Sequence, residues 1–290
     1  MHTNNKRVIL PIQPYFVITS QLYRKCPQYS SNIIHFYQFD LHESFSQAVP
    51  DGTFDIIFQL DETAPEAFIA GPSTQIRRTV LKKNVEYFGV RLAYGVVPFS
   101  VYPFISAKEM VDAETDLAAI YPNNNDFLDA FFEEAFADTK FKARIAAFEK
   151  HIAPKIFFRE EQHESTVEQH MMKVISNCYG IISISQLAKK LGYSERYLRQ
   201  LFSQMYGISP KKFADIIKFQ HTVHLLKQND DFTKITYASG YYDQPHFMHV
   251  FRQYTQCTPK QFAAMLTDKN YRRKNGYCLV IVKAVICGNL

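Results

Sequence analysis

Five cysteines, at positions 26, 178, 257, 278 and 287, are odd in number, scattered, and never spaced Cys-x-x-Cys. That pattern excludes a disulfide framework and a structural zinc finger, and it points to a reducing cytoplasm. No apolar run approaches the ~20 residues of a membrane span, and the opening MHTNNKRVILPIQ lacks a signal-peptide core, so no membrane partner is expected. Gly-rich phosphate loops, nucleophile elbows and His-Glu-x-x-His motifs are absent as well. Tryptophan is missing, and 25 Phe and 18 Tyr carry the aromatic content. With 47% hydrophobic and 21% charged residues, the 290-residue chain is neither disordered nor fibrous, and its length suits about two domains.

The net charge of +5 is unevenly placed. Residues 1–167 carry −5, residues 168–268 carry +5, and residues 269–290 another +5. A basic C-terminal third on an acidic first half suggests a polyanion partner for one half only.

Strand and turn signals fill the first part. Ile33–Phe39, Phe54–Leu60 and Val85–Leu92 are rich in β-branched and aromatic residues, with turn signals at Pro50-Asp51-Gly52 and Gly71-Pro72-Ser73. After Pro122 the period becomes helical. Phe127, Leu128, Phe131, Phe132, Ala135 and Phe136, then Phe141, Ile145 and Phe148, predict one long helix or two short ones before Pro154. That segment either covers the sheet or serves dimerisation. The resulting division is a β-rich sensor or dimerisation domain at 1–155, a linker at 156–167, helices at 168–268, and a basic then apolar tail at 269–290. The tail's GYCLVIVKAVI (276–286) is strand-like, and it suits an edge strand, a dimer contact or a loose tail alike.

The C-terminal helices repeat. Ser183-Ile184, Leu187-Ala188 and Gly192-Tyr193 align with Asp231-Phe232, Ile235-Thr236 and Gly240-Tyr241 at an offset of 48 residues. After one extra residue, Leu198, Leu201, Phe202, Ser209, Pro210 and Phe213 align with Phe247, Val250, Phe251, Thr258, Pro259 and Phe262. Each unit opens on a Ser or Asp cap, and Ser183-x-x-Gln186 reads as a capping box. A glycine, 192 or 240, then turns the chain into a second helix with inward residues at i, i+3 and i+4. Two helices around such a corner are a helix-turn-helix. A longer helix, Lys211 to Gln228, joins the units, with Phe213, Ile216, Ile217, Val223, Leu225 and Leu226 facing their cores.

Residues 183–262 resemble the DNA-binding domain of the AraC/XylS family of bacterial transcription regulators. The carrying segments are Gln186-LAKKLGYSERYLRQLF-Ser203, Tyr206-GISPKKF-Ala214 and Phe232-TKITYASGYYDQPHFMHVFRQYTQCTPKQF-Ala263. Two positions depart from the family: Thr236 stands where alanine is usual, and Gln256 where glycine is usual. The first half is similar to a cupin-like sensor module fused to such domains, through PDGTFDIIF (50–58), Ala70-Gly71-Pro72-Ser73 and Gly89-Val90-Arg91. The usual Phe-Arg-Pro-Gly continuation is here Leu92-Ala93-Tyr94-Gly95, so no role of that second arginine carries over. The fold class implied is α+β in two domains: a cupin-like β-rich domain with helices, then an all-α pair of helix-turn-helix units.

In each unit the second helix is expected in the major groove. With Leu198, Leu201 and Phe202 inward, Arg196, Arg199 and Gln200 are base-reading candidates, since arginine suits guanine and glutamine adenine. The second unit offers Gln244, His246, Met248 and His249. Phosphate contacts are expected from Lys189, Lys190, Lys211, Lys212, Arg252 and Lys260, and from amides after Ser183. An effector pocket, if built from aromatics, would use Tyr15, Tyr37, Phe58, Phe88 and Tyr94.

Other chemistry finds little support. His221-x-x-His224 and His246-x-x-His249 could each face one way, yet no cysteine or carboxylate completes a metal set. His35, His42 and Glu43 lack the ligand pattern of a metal-binding cupin, and Asp51, Asp55 and Asp61 do not suggest an acid/base pair. No metal, no cofactor and no catalytic residue is expected. The expected protein is a DNA-binding transcription regulator of activator type, controlled through its first domain by an unidentified small-molecule or protein effector. Double-stranded DNA is its partner, with RNA polymerase and a second copy of the chain as protein candidates. The alternatives are a cupin-type enzyme that modifies a small molecule, or a regulator whose first half binds only a protein.

Overall fold

The computed structural model describes residues 10–13, 20–28, 30, 32–41, 45–98, 106–121, 125–156, 166–228, 231–267 and 280–281. Tyr15, His42, Glu43 and most of the 269–290 tail lie outside these residues.

Nine strands are described: β1 (Ser20–Pro27), β2 (Ile33–Leu41), β3 (Phe45–Ala48), β4 (Asp55–Leu60), β5 (Glu66–Ala70), β6 (Arg77–Val80), β7 (Glu86–Leu92), β8 (Glu114–Asp116) and β9 (Val280–Ile281). Seven form one sheet in the order β8-β5-β4-β7-β2-β1-β9, while β3 and β6 pair separately. The three strands legible in the sequence are β2, β4 and β7, which sit side by side at the centre. They are legible because they are rich in β-branched and aromatic residues, and both of their faces are buried. The strands missed by the sequence pattern are mixed in composition, and all but the eight-residue β1 are short. In the tail, Val280–Ile281 pairs in parallel with Leu22–Tyr23 of β1, as an edge strand.

One face of the sheet carries Phe36, Ile56, Phe58, Phe88 and Val90 into a cluster with the helices that follow. These are α1 (Leu117–Ile120), α2 (Asp126–Ala137), α3 (Phe141–Ala147) and α4 (Ala153–Ile156). A π-helical turn at Phe148–Ile152 separates α3 from α4 and drives Phe148 into the core, 5.5 Å from the Phe36 ring. The predicted helix is thus two helices and a π turn, and it covers the sheet: Phe131 packs 4.2 Å from Phe58, centroid to centroid. Buried Arg144 of α3 pairs with Glu86 at the start of β7, which fastens the helical layer to the sheet. The opposite face holds Tyr37, Phe39, Ile57 and Tyr87 against Leu41, Ala48 and Leu81.

That second face also carries charge. Asp55 of β4 and Arg91 of β7 are register partners, and Arg91 holds Asp55 with both Nε (3.0 Å) and a terminal nitrogen (2.6 Å). Asp51 lies 3.3 Å from the same guanidinium. Gln13 donates to Asp51 (2.7 Å) and to the Val49 carbonyl (2.7 Å), and accepts from the Val49 amide (2.9 Å). Burial raises the Asp51 carboxyl against the opposing pull of Arg91. Burial alone would lower Arg91, but Asp55 and Asp51 hold it well above its usual value.

The remaining helices are α5 (Val167–Asn177), α6 (Ile184–Leu191), α7 (Glu195–Tyr206), α8 (Pro210–Lys227), α9 (Phe232–Ala238), α10 (Gln244–Thr255) and α11 (Pro259–Thr267). Two apolar clusters form there. One joins α5, α6 and α7 to the first half of α8 through Met171, Ile175, Leu187, Leu198, Phe202 and Phe213. The other joins α9, α10 and α11 to its second half through Phe219, Val223, Ile235, Phe247, Phe251 and Phe262. The linking helix is therefore the common spine. Phe213, Ile216, Ile217, Val223 and Leu226 are buried as the spacing predicts, and Leu225 is half-buried.

α8 also meets the β-rich half. Gln220, fully buried, donates from Nε2 to the Pro50 carbonyl (2.6 Å) and the Ile12 carbonyl (3.3 Å), and accepts from the Ile12 amide (2.8 Å). His224 donates to the Leu10 carbonyl (2.7 Å). Gly52 sits at φ +71°, where an L side chain is strained, and a Cβ there would press on the Phe213 ring at 3.1 Å, so glycine suits the close approach to α8. Tyr94 meets Phe213 edge-on at 5.7 Å. The turn Pro50-Asp51-Gly52 is thus fixed from beneath by Arg91 and grips α8 from above.

Removing one partner of a buried ion cluster leaves an uncompensated charge. Asp55→Ala is expected to lower stability by about 3–5 kcal/mol, read as an earlier midpoint in urea unfolding. A loss below about 1 kcal/mol would show that the cluster is solvated rather than buried.

Candidate nucleic-acid interface

Both helix-turn-helix units form as the repeat predicts. Ser183 caps α6 by accepting from the Gln186 amide (3.1 Å), while Gln186 returns a bond from the Ser183 amide (2.9 Å), the expected capping box. Gly192 then ends α6 in the left-handed conformation at φ +77°, which an L side chain adopts only with strain. Ser194 caps α7 through the Tyr197 amide (3.2 Å). In the second unit Asp231 caps α9 and Asp243 caps α10.

The second helices show outward faces. Leu198 and Phe202 of α7 are fully buried, and Arg196, Arg199 and Gln200 are exposed. Arg199 forms an i, i+4 pair with Glu195 at 2.6 Å. In α10, Phe247 and Phe251 are buried while Gln244, His246 and His249 are exposed. Met248 is different: it is half-buried and packs on the core of the second unit.

Around these faces, Lys189, Lys190, Lys211, Arg252 and Lys260 are exposed, with Lys211 paired to Asp215 at 2.6 Å. Lys212 turns inward instead. It donates to the Tyr254 hydroxyl (3.2 Å) and stands 4.9 Å over that ring, and burial lowers its pKa. Lys218 sits likewise over the Tyr241 ring at 4.6 Å. Two lysines of the spine thus stack on two tyrosines of the second unit and fix its orientation. Sequence reasoning missed Lys218 and Gln220, because a helix face that looks polar by type carries no sign of what it will meet.

The aromatic pocket expectation is corrected. Tyr37, Phe58 and Phe88 are core residues packed against Phe39, Phe131 and Phe148, and none of them lines the cavity that Tyr94 borders. Of that set, Tyr94 lines a cavity. His221 stacks on Tyr179 at 4.4 Å, and His224 is engaged with Leu10, so the first histidine pair serves packing.

Residues 187–265 match a family described as helix-turn-helix domain, and residues 23–115 match a domain of unknown function, DUF6597. An uncharacterized HTH-type transcriptional regulator of Haemophilus influenzae is 34% identical over 80 residues, 27% of each chain. Uncharacterized regulators of Staphylococcus aureus are 27% identical over 82 residues, 28% of this chain and 11% of theirs. The chain thus spans about a quarter or less of the length of these curated relatives. Among solved structures, an apo ToxT variant from Vibrio cholerae covers 83% of this chain at 13% identity and a TM-score of 0.45. The C-terminal domain of AraT, a response regulator from Geobacillus stearothermophilus, covers 34% at 22% identity and a TM-score of 0.33. The C-terminal helices are a helix-turn-helix domain. The double unit on one linking helix resembles the DNA-binding domain of the AraC/XylS family.

The two departures from that family have physical explanations. Thr236 is buried, and its hydroxyl donates to the Phe232 carbonyl (2.8 Å), which satisfies the added polar atom. Gln256 ends α10 at φ +57°, the left-handed region, without a glycine. Its side chain is exposed, so Gln256→Gly is expected to raise stability by about 1 kcal/mol, seen as a later thermal midpoint. An unchanged or earlier midpoint would mean that Gln256 makes compensating contacts.

Proposed function

We propose that the protein is a sequence-specific DNA-binding transcription regulator controlled through its β-rich half. The carrying observation is the pair of second helices, α7 and α10, each capped, each apolar inward, and each with polar side chains exposed on its N-terminal outer face. The arrangement suits insertion of two helices into successive major-groove segments. In this reading Arg196, Arg199 and Gln200 read bases from α7, and Gln244, His246 and His249 from α10. Lys189, Lys190, Lys211, Arg252 and Lys260 hold phosphates, with helix-start amides after Ser183. The division into a sensor at 1–155 and a DNA-binding unit at 168–268 belongs to the same proposal.

The reading makes affinity an electrostatic quantity. Binding to duplex DNA should fall log-linearly and steeply with salt, measured by fluorescence anisotropy. A flat response would falsify DNA binding as the function. Arg199→Ala should lose discrimination at particular base pairs by about 1–3 kcal/mol, while Lys190→Ala should weaken all sequences alike. Uniform loss in both variants on a randomised site library would reduce Arg199 to a phosphate anchor.

Geometry adds an asymmetry. The 18-residue spine spans ~27 Å at ~1.5 Å per residue, short of the ~34 Å between major-groove segments on one face. Either the DNA bends, at about 1–6 kcal/mol, or one helix engages loosely. α10 is the looser candidate, since no arginine stands on its outer N-terminal face and Met248 is half-buried. Selection from random duplexes should give more sequence information opposite α7. The reverse order would overturn this ranking.

A further inference from the structure

Of the four lysines on α8, Lys211 and Lys227 are exposed, while Lys212 is half-buried and the Lys218 side chain is 14% exposed. Each of the inward pair ends over the ring of a buried tyrosine. Lys218 lies 4.6 Å above Tyr241; Lys212 lies 4.9 Å above Tyr254 and donates to its hydroxyl at 3.2 Å. The rings are themselves wedged in place, Tyr241 by Phe247 at 5.3 Å and Tyr254 by Phe219, edge-on at 5.1 Å. Burial lowers the pKa of both ammonium groups, with Asp215 opposing. A ring face attracts a cation more strongly as water is withdrawn, which compensates for placing ammonium groups there.

The two tyrosines sit at opposite ends of α10. Tyr241 stands three residues before Gln244, its first residue, and Tyr254 immediately before Thr255, its last. A contact at one end would leave the helix free to pivot, whereas contacts at both ends fix its direction as well as its place. The first unit is held differently. Tyr193, the repeat partner of Tyr241, is exposed and stacks on Tyr197 at 5.3 Å, and Met205 stands where the repeat has Tyr254. Phe202 of α7 meets Phe213 of the spine at 5.5 Å instead.

We propose that Lys212 and Lys218 are positioning residues: by clamping both ends of α10 to the spine, they set the half-site separation that the protein accepts on DNA. The inference rests on the DNA-binding reading and adds to it a pair of cations that touch no phosphate. Half-site spacing mirrors the spacing of the recognition helices. The spine spans ~27 Å against ~34 Å between groove segments, and a clamped α10 cannot swing to make up the difference. A duplex with any other separation therefore loses the contacts of α10. Once unclamped, α10 turns to follow the groove, and other separations are tolerated.

The test uses the full chain and a duplex selected from a random pool, with one base pair then inserted or deleted between its half-sites. Affinities are read by fluorescence anisotropy. The native chain should lose about fivefold or more with the altered duplexes. In Lys212→Gln/Lys218→Gln that penalty should shrink about threefold or more, and Lys212→Arg/Lys218→Arg should restore it, since a guanidinium also stacks on aromatic faces. The slope of log affinity against log salt should be the same in all three. A smaller native penalty, a smaller change in the glutamine pair, no rescue by arginine, or a slope shallower by about 1.8, as two lost phosphate contacts would give, would each overturn the proposal. Spin labels at exposed Gln204 of α7 and Gln253 of α10, introduced as non-natural amino acids, test the clamp without DNA. Double electron–electron resonance should give a narrow distance distribution in the native chain and the arginine pair, and a broader one in the glutamine pair. Equal widths throughout would overturn the clamp. A chain that binds no duplex in any variant would sink the DNA-binding reading itself, whereas unchanged spacing penalties on a bound duplex would sink the clamp alone.

Discussion

The Arg91 guanidinium, buried between the Asp55 and Asp51 carboxylates, is the constraint that positions the rest of the molecule. A charged group removed from water persists only when geometry and further hydrogen bonds compensate it. Here the fork on Asp55 is bidentate, Gln13 completes Asp51, and the Thr53 amide adds a bond at 3.3 Å. The consequence is a rigid turn at Pro50-Asp51-Gly52, whose carbonyl and bare glycine face α8. Gln220 then joins that turn and the Ile12 segment to the spine with three hydrogen bonds. The charge pair in the sheet thus holds the turn against α8, the helix that carries α7 and α10.

Control of such a molecule would act at the seam. The spine carries the first unit's cluster on one half and the second unit's cluster on the other, so a shift at Gln220 or Phe213 is felt by both. The lysine stacks on Tyr241 and Tyr254 keep the second unit with the spine. A cavity borders the same seam through Tyr94, which packs on Phe213.

Much of this was legible in sequence because the signals were local or repeated. The caps at Ser183 and Asp231, the corner at Gly192, and the inward triplets of α7 and α10 recur at a fixed offset, and the structure places them as expected. The central strands were legible through their doubly buried runs. What sequence hid was non-local. Asp51 and Asp55 read as turn and strand-edge residues, yet Arg91, 36 residues beyond Asp55, makes them a buried cluster. Gln220 looked like one polar position on a helix and is fully buried with three hydrogen bonds to the β-rich half. Phe58 and Phe88 were candidate pocket liners, though strand aromatics are far more often core, and their packing against Phe131 and Phe148 places them in the core. The cavity was invisible, since its wall draws on four separate segments.

The central claim is that the turn on the Arg91 cluster, through Gln220, holds the recognition helices at a fixed place relative to the sheet. Spin labels at exposed Lys83 and Gln253, introduced as non-natural amino acids, measure that separation by double electron–electron resonance. The account expects one narrow distance distribution in the native protein and a clearly broader one in Gln220→Ala. A broad or multiple distribution in the native protein, or an equally narrow one in the variant, would contradict it.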